Sequence, residues 1–331
     1  MKALLLCAGK GKRLQPITKK IPKALVPIGN ITLVEHAVMS IRQAGITEIG
    51  IVLNDEVSKY RSIIDTMQES AKITYIEQMD PRGTAHAIQI SLDFIGDSPF
   101  LVYLADNLFG ESLKGFVTSF LSNKPMVQIG VKTVLNPKDY GVLELSENNN
   151  VLNIEEKPKH PKGDKAVVGV FAFENSCKTL FDDLKLSDRG ELEITDALNK
   201  AIQQNYNVTA HEFNEWWIDV GNINRLLEAN NLYLQDINTK EQRTIATDSI
   251  INNSLIIHPV IIGASCNIEN SVIGPNVTIG DNTVITGSVV NECVIMSNSK
   301  LSGMKEIQDS IVIQKEIVQV RYYQNTREQW Q

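Results

Sequence analysis

The chain has 331 residues, 43% of them hydrophobic and 21% charged, enough to bury one large core and a second smaller one. Its formal net charge of −7 argues against unspecific nucleic-acid binding, and no apolar run approaches the roughly 20 residues of a membrane span. Met1 to Leu6 runs straight into a glycine-rich turn and not a cleavage site, and Cys7, Cys177, Cys266 and Cys293 show no CxxC spacing, so the expectation is a cytoplasmic protein without disulfides or a zinc knuckle.

In chain order, Ala3 to Leu6, Ile49 to Leu53, Ile73 to Ile76 and Phe100 to Leu104 read as strands with helices between them. The clearest helix starts at Thr32, with Glu35 completing a capping box and Val34, Ala37, Val38 and Ile41 on one face. This alternation predicts an α/β fold with a Rossmann-like, mixed but mainly parallel sheet. Val142 to Leu145, Val151 to Ile154 and Val167 to Phe173 then follow as consecutive strands, predicted as an inserted β lobe. A helix through Ile194, Ala197, Leu198, Ala201 and Ile202 comes next, then a strand near Val208 and a helix through Ile223, Leu226 and Leu227.

Beyond Thr244 the apolar period becomes six. Ile250, Ile256, Ile262 and Ile268 share one phase, Ile273, Ile279 and Ile285 a second, and Ile295, Leu301, Ile307 and Ile313 a third. Such hexapeptide spacing predicts a left-handed parallel β-helix of three to four coils, about eighteen residues each. The expected domains are 1–240 and 241–331. The tail from Gln314, with Tyr322, Tyr323 and Trp330, is a candidate cap for the last coil.

Chemistry enters at the first strand's end, in Cys7-Ala8-Gly9-Lys10-Gly11-Lys12-Arg13-Leu14-Gln15-Pro16. Glycine lets backbone N–H groups approach phosphate oxygens, and an Arg adds a bidentate contact. No Asp or Glu occurs from Met1 to Val34, while Lys2, Lys10, Lys12, Arg13, Lys19, Lys20 and Lys23 do, which makes an anion trap on an acidic chain. Leu14 replaces the third glycine of a dinucleotide fingerprint, and the GK[ST] end of a P-loop is missing. By itself, GxG after a strand reads equally as a tight structural turn. Asp106 and Asp219 stand where strands should end, as a metal ligand or a helix cap would.

With Pro22-Lys23-Ala24-Leu25-Val26-Pro27 following the glycine turn, the chain resembles the sugar-phosphate nucleotidyltransferases, whose signature is GxGxRLxP followed by PKxLxP. Ala8 and Lys12 depart from the family's usual glycine and threonine. The resemblance implies phosphate binding by Ala8, Gly9, Gly11, Arg13 and Lys23, and Mg2+ held by Asp106 and Asp219, which stand in matching LxDN and WxDxG segments. It also implies that Gln78 and Gly83 contact the base, although Asp80-Pro81 marks an ordinary turn there. Glu155-Glu156-Lys157-Pro158 is similar to the family's EEKP segment, so Glu156 is expected on sugar hydroxyls and Lys157 on the sugar phosphate; a surface salt bridge is the plain reading of the same pair.

Tyr140-Gly141-Val142, Ala166 to Gly169, Arg189 to Asp196 and Trp216-Trp217 look like the glucose-1-phosphate thymidylyltransferases, in the longer form with hexapeptide repeats. That likeness implies a glucose pocket of Tyr140, Gly141, Val167 and Gly169 with Arg189 near it, and dTTP as the nucleotide. UTP or another sugar 1-phosphate stays open as an alternative, since one methyl group on the base changes affinity only modestly. The repeats also leave acyl transfer open, with His258 the one histidine among them, and a homo-oligomer through the β-helix is the expected assembly. A non-catalytic sensor of sugar nucleotides would be expected to lose a phosphate cation or a carboxylate. Arg13, Lys23, Asp106, Lys157 and Asp219 are all present.

Overall fold

A computed structural model describes residues 1–54, 57–67, 71–146, 151–239, 244–303 and 306–320. By contacts the chain divides into two compact units, Met1–Lys10 with Val34–Asp219, and Gly11–Leu33 with Val220–Gln331. The boundary expected at 240/241 lies outside the described residues, as do Tyr322, Tyr323 and Trp330. The division by contacts falls at Asp219/Val220 and within the glycine turn itself, at Lys10/Gly11.

The elements run β1 (Lys2–Leu6), β2 (Pro27–Ile28), β3 (Ile31–Thr32), α1 (Leu33–Gln43), β4 (Glu48–Leu53), α2 (Ser58–Ile64), β5 (Lys72–Glu77), α3 (Thr84–Gln89), α4 (Leu92–Ile95) and β6 (Phe100–Leu104). They continue with β7 (Asn107–Phe109), α5 (Lys114–Asn123), β8 (Val127–Thr133), β9 (Gly141–Leu145), β10 (Val151–Glu156), β11 (Lys165–Phe173), α6 (Ile194–Gln203), β12 (Val208–Glu212), β13 (Trp217–Asp219) and α7 (Ile223–Thr239).

One nine-stranded sheet organises the first unit, in the order β10-β9-β11-β6-β1-β4-β5, with β8 on β11 and β12 on β8. Strands β6-β1-β4-β5 run parallel within it, as does the β12–β8 pair. Ala3, Leu4, Leu5 and Leu6 are all buried, the unbroken apolar run expected of a strand covered on both faces. Because Leu6 is opposite both Val52 and Leu104, neighbouring strands end level and release Cys7-Ala8-Gly9 and Ala105-Asp106 side by side. Two backbone bonds hold that edge, Cys7 N–H to Val52 O at 2.8 Å and Ala105 N–H to Leu6 O at 3.1 Å.

The strands of the expected inserted lobe extend the main sheet. β11 pairs antiparallel with β6 and also with β8 and β9, so the lobe's strands continue the main sheet. An irregularity between Val167 and Phe171 lets one strand serve these partners. Beneath the sheet, Phe100 stacks on Phe173 at 5.1 Å and Phe173 meets Phe181 edge-on at 5.5 Å.

In the second unit, strands Ile250–Asn252, Asn267–Glu269, Val284–Thr286 and Lys300–Ser302 stack in parallel as four rungs of a β-helix. Successive coils are offset by 17 residues, as in the side-chain bond from Asn253 to Asn270, or by 16, as where Ile279 is opposite Ile295, and not by eighteen. The apolar positions therefore take two steps of six and one of five around a 17-residue coil, and one of six and two of five around the 16-residue coil from Ile279 to Ile295, the physical basis of the phase resets. This spacing puts Ile251 opposite the buried Ile268 and leaves Ile250 55% exposed, so Ile250 is not part of the stack as its phase had suggested. Ile262, Ile279, Ile295 and Val312 fill one inward row, and Ile268, Ile285 and Leu301 another. At the end, Glu316–Gln319 pairs antiparallel with Ile307–Ile313 and occupies that strand's open edge.

Candidate active site

Asp106 and Asp219 are brought together by a short antiparallel pair. β7 and β13 align Asn107 with Asp219, so Asp106 at the end of β6 is one residue from the position opposite Asp219. Asn107, only 3% exposed, is the junction. Its Nδ2 donates to Asp106 Oδ1 at 2.8 Å, while its Oδ1 accepts from Trp217 Nε1 at 2.8 Å and from the Gly169 N–H at 3.1 Å. A Cβ on Gly169 would come within 2.4 Å of the Asn107 amide, so glycine is needed there for close approach. In the sequence Asn107 and Trp217 stand only as members of the LxDN, WxDxG and Trp216-Trp217 segments, with nothing that marks either as a junction.

Burial, and next the charge of Asp106, push the Cys7 thiol far above its ordinary range. Cys7 is thereby an inert core thiol, and all four cysteines are free and buried. Two carboxylates at a strand edge suit Mg2+, which favours hard oxygen donors and is commonly held by one or two carboxylates plus substrate phosphates. Among the described residues no group of three or more His, Cys, Asp or Glu side chains is placed to hold a metal ion.

The positions expected at the sugar lie on the antiparallel strands of the same unit. Glu156 in β10 pairs with Gly141 in β9, and its Oε2 is 3.2 Å from where a Gly141 Cβ would stand, with Val167 beside it. Tyr140 meets the Trp217 ring edge-on at 5.1 Å, and its carbonyl accepts from the Lys157 N–H at 2.9 Å. Lys157 takes a positive φ of 48°, a turn that leaves its ammonium exposed and 3.9 Å from Glu156. Arg189 Nη2 bridges Glu156 at 3.2 Å and Glu193 at 2.8 Å, and Glu193 also accepts from the Ser187 hydroxyl. Tyr140, Gly141, Glu156, Lys157, Val167, Gly169 and Arg189 thus form one connected neighbourhood, which Asn107 and Trp217 link to the aspartates.

Gln78 is buried at 2% exposure, and its amide donates to the Gly83 carbonyl at 3.3 Å and meets His86 Nδ1 at 2.9 Å. Gly83 has φ 111°, and a Cβ there would strike the Leu192 backbone at 2.4 Å. This loop is braced from within: Leu192 N–H bonds Arg82 O, and Ala85 N–H bonds Leu192 O. His86 is held below its ordinary pKa by burial and then by the Arg82 guanidinium, which lies 3.1 Å from its Nε2. His211, packed edge-on against Phe116 and Phe213, is lowered by burial, against the opposing charge of Glu111. His258 is exposed.

Gly11, Arg13 and Lys23 belong to the other unit. Gly11, at φ 58°, opens a 3-10 turn over Lys12–Leu14, with Arg13 exposed on it. The Thr18 hydroxyl donates to Gly11 O at 2.8 Å, and a Cβ on Gly11 would lie 3.1 Å from Lys23 Cβ, so the glycine turn and Lys23 are packed as neighbours.

Residues 2–236 match the nucleotidyl transferase family. The chain is similar to a glucose-1-phosphate thymidylyltransferase of Streptomyces antibioticus, 34% identical over 94% of this chain and 92% of that one. It is also similar to the bifunctional protein GlmU of Methanocaldococcus jannaschii, 31% identical over 94% of this chain and 77% of that one. A crystal structure from Bacillus anthracis, described as a glucose-1-phosphate thymidylyltransferase in complex with sucrose, superposes with a TM-score of 0.65 at 34% identity and covers 70% of this chain and 94% of that one.

Proposed function

The chain belongs to the nucleotidyl transferase family, and from that premise we propose that it transfers a thymidylyl group from dTTP to glucose 1-phosphate, giving dTDP-glucose and pyrophosphate. The observation that carries this reading is the meeting of Asp106 and Asp219 on paired strands, joined through Asn107 and Trp217 to the neighbourhood of Glu156, Lys157 and Gly169. The names of the Streptomyces and Bacillus relatives support the choice of nucleotide and sugar.

In this reaction a sugar-phosphate oxygen attacks the α-phosphorus. The bond to the oxygen bridging α and β phosphorus breaks, and pyrophosphate leaves with the electron pair. No covalent enzyme intermediate is needed, so the protein contributes alignment and charge. Lys157 is proposed to hold the sugar phosphate, since a compact ammonium reduces the repulsion between the two anions that must meet. Glu156, with one oxygen on Arg189 and the other over Gly141, accepts from sugar hydroxyls in a pocket with Tyr140, Gly141, Val167 and Gly169. Arg13 and Lys23, with the backbone of Ala8, Gly9 and Gly11, bind the triphosphate, and Gln78 and Gly83 contact the base. Asp106 and Asp219 would hold Mg2+, which when bound neutralises phosphate oxygens as charge builds on them.

The deciding experiment is pyrophosphate release with dTTP or UTP against a panel of sugar 1-phosphates, with and without Mg2+. Turnover should be highest for dTTP with glucose 1-phosphate and should require the metal. A higher kcat/KM with UTP would replace the nucleotide assignment, and no release from any pair would end the enzymatic reading.

The β-helix is further proposed to join copies of the chain, a reading supported by Ile250, Leu255 and Ile257, which stand 55%, 57% and 39% exposed on it. Light scattering should return a multiple of the 36.8 kDa chain mass; a monomer at working concentration would exclude this assembly.

A further inference from the structure

The segment Gly11–Leu33 carries the proposed triphosphate ligands Gly11, Arg13 and Lys23, yet its contacts place it with α7 and the β-helix. Its attachment there is specific. The buried Gly29 donates its N–H to Asn230 Oδ1 at 3.1 Å, and the same oxygen accepts from the Thr278 hydroxyl of the β-helix at 2.8 Å. Asn230 is 0% exposed, and its acceptor role toward a backbone N–H fixes which way the amide points. Next in the chain, Asn30 Nδ2 donates to the Ile279 carbonyl at 2.7 Å. Lys20 pairs with Glu316 at 2.9 Å.

The fit is also steric. A Cβ on Gly29, whose φ is 59°, would meet Tyr233 of α7 at 2.2 Å and Ile261 of the β-helix at 3.2 Å, so the β2–β3 hairpin is seated as closely as a bare backbone permits. From that seat an unbroken line of contacts reaches the phosphate turn. Leu33 N–H bonds Val26 O at 3.1 Å, and Val26 N–H bonds Lys23 O at 3.1 Å. Lys23 and Thr18 then enclose Gly11.

We propose that Asn230, Gly29 and Asn30 are positioning residues for the triphosphate, through which the unit formed by α7 and the β-helix sets the placement of Gly11, Arg13 and Lys23. This rests on reading those three as triphosphate ligands. The repeats then have a part in substrate affinity beyond any part in assembly. The loop's conformational entropy is lost when the chain folds and not when the nucleotide binds, so loosening the seat weakens nucleotide binding selectively.

The test uses the full-length chain. Asn30→Gly suits the left-handed backbone at φ 64° and removes the side-chain bond to Ile279, and Asn230→Ala removes the acceptor shared by Gly29 and Thr278. Each variant should raise KM for dTTP about tenfold, the scale of a lost buried hydrogen bond, and leave KM for glucose 1-phosphate within about twofold. Amide exchange should quicken across 11–33. Equal rises in both KM values, or an unchanged KM for dTTP in Asn30→Gly despite faster exchange, would overturn the proposal. Calorimetric dTTP binding keeps it separate from the reaction assignment. A wild type without turnover ends that assignment, while an unchanged dTTP Kd in Asn30→Gly ends the positioning role.

Discussion

In the sheet unit, Asn107 and Trp217 are 110 positions apart and meet only because two short strands pair; in the β-helix, neighbours on adjacent coils are 16 or 17 apart and meet because the chain repeats itself. The first arrangement rests on a polar junction that meets three partners, the second on rows of apolar side chains with inward exposures near zero. One region rests on a few specific atoms proposed to serve chemistry, the other on many equivalent atoms that share stability. Substitutions should therefore separate the two, with losses of activity in one and of melting temperature in the other.

The widest separation should come from Asp106→Asn and Asp219→Asn. Each is expected to cut pyrophosphate release roughly 10³-fold, the scale of losing a preorganised charge at the reacting phosphate, with thermal unfolding little changed. Near-normal rates with Mg2+ would remove both from the metal site. Next is Ile285→Ala in the β-helix core, which should cost about 3 kcal/mol in denaturant unfolding while kcat at 25 °C stays close to wild type. An unchanged denaturation midpoint would show that this row tolerates a cavity.

Asn107→Ala should blur the comparison, since it strands the buried Trp217 and Gly169 donors and removes the bond to Asp106 Oδ1. About 2 kcal/mol of stability and a clear drop in kcat are expected together, and loss of either alone would show that the junction serves a single purpose. The pH response is smaller. His86 and His211 are both held below the ordinary histidine pKa, so between about pH 7 and pH 5 the unfolded chain binds more protons than the folded one. Stability should fall as pH drops through that window and stay flat above it. His211→Gln should flatten the slope of denaturation midpoint against pH, and an identical slope would exclude His211 as a contributor. Least affected should be Lys162→Gln, which breaks an exposed pair with Glu144 at 3.0 Å and should shift stability by less than about 1 kcal/mol.

What could be read from the residues follows the same division. Ala3 to Leu6, Phe100 to Leu104 and the helix through Ile194 and Leu198 match β1, β6 and α6 because alternation and helical spacing are local properties, readable wherever one face is buried. The β-helix was readable for the same reason. The gathered positions on β9, β10 and β11 were named individually by likeness to a family, but their connection through Asn107 was not. An asparagine beside an aspartate has no periodicity that marks it as a junction.

By itself, the order of residues determined where strands and helices form, that the C-terminal third repeats, and, by likeness to a family, which short segments are proposed for phosphate and sugar. Tertiary structure alone decided that the lobe's strands join the main sheet, that a 17-residue coil turns Ile251 inward and Ile250 out, and that the loop of Arg13 and Lys23 is seated on α7 and the β-helix. Each of these depends on pairing between distant parts of the chain, and spacing along a sequence encodes which face a residue shows but not which partner meets it.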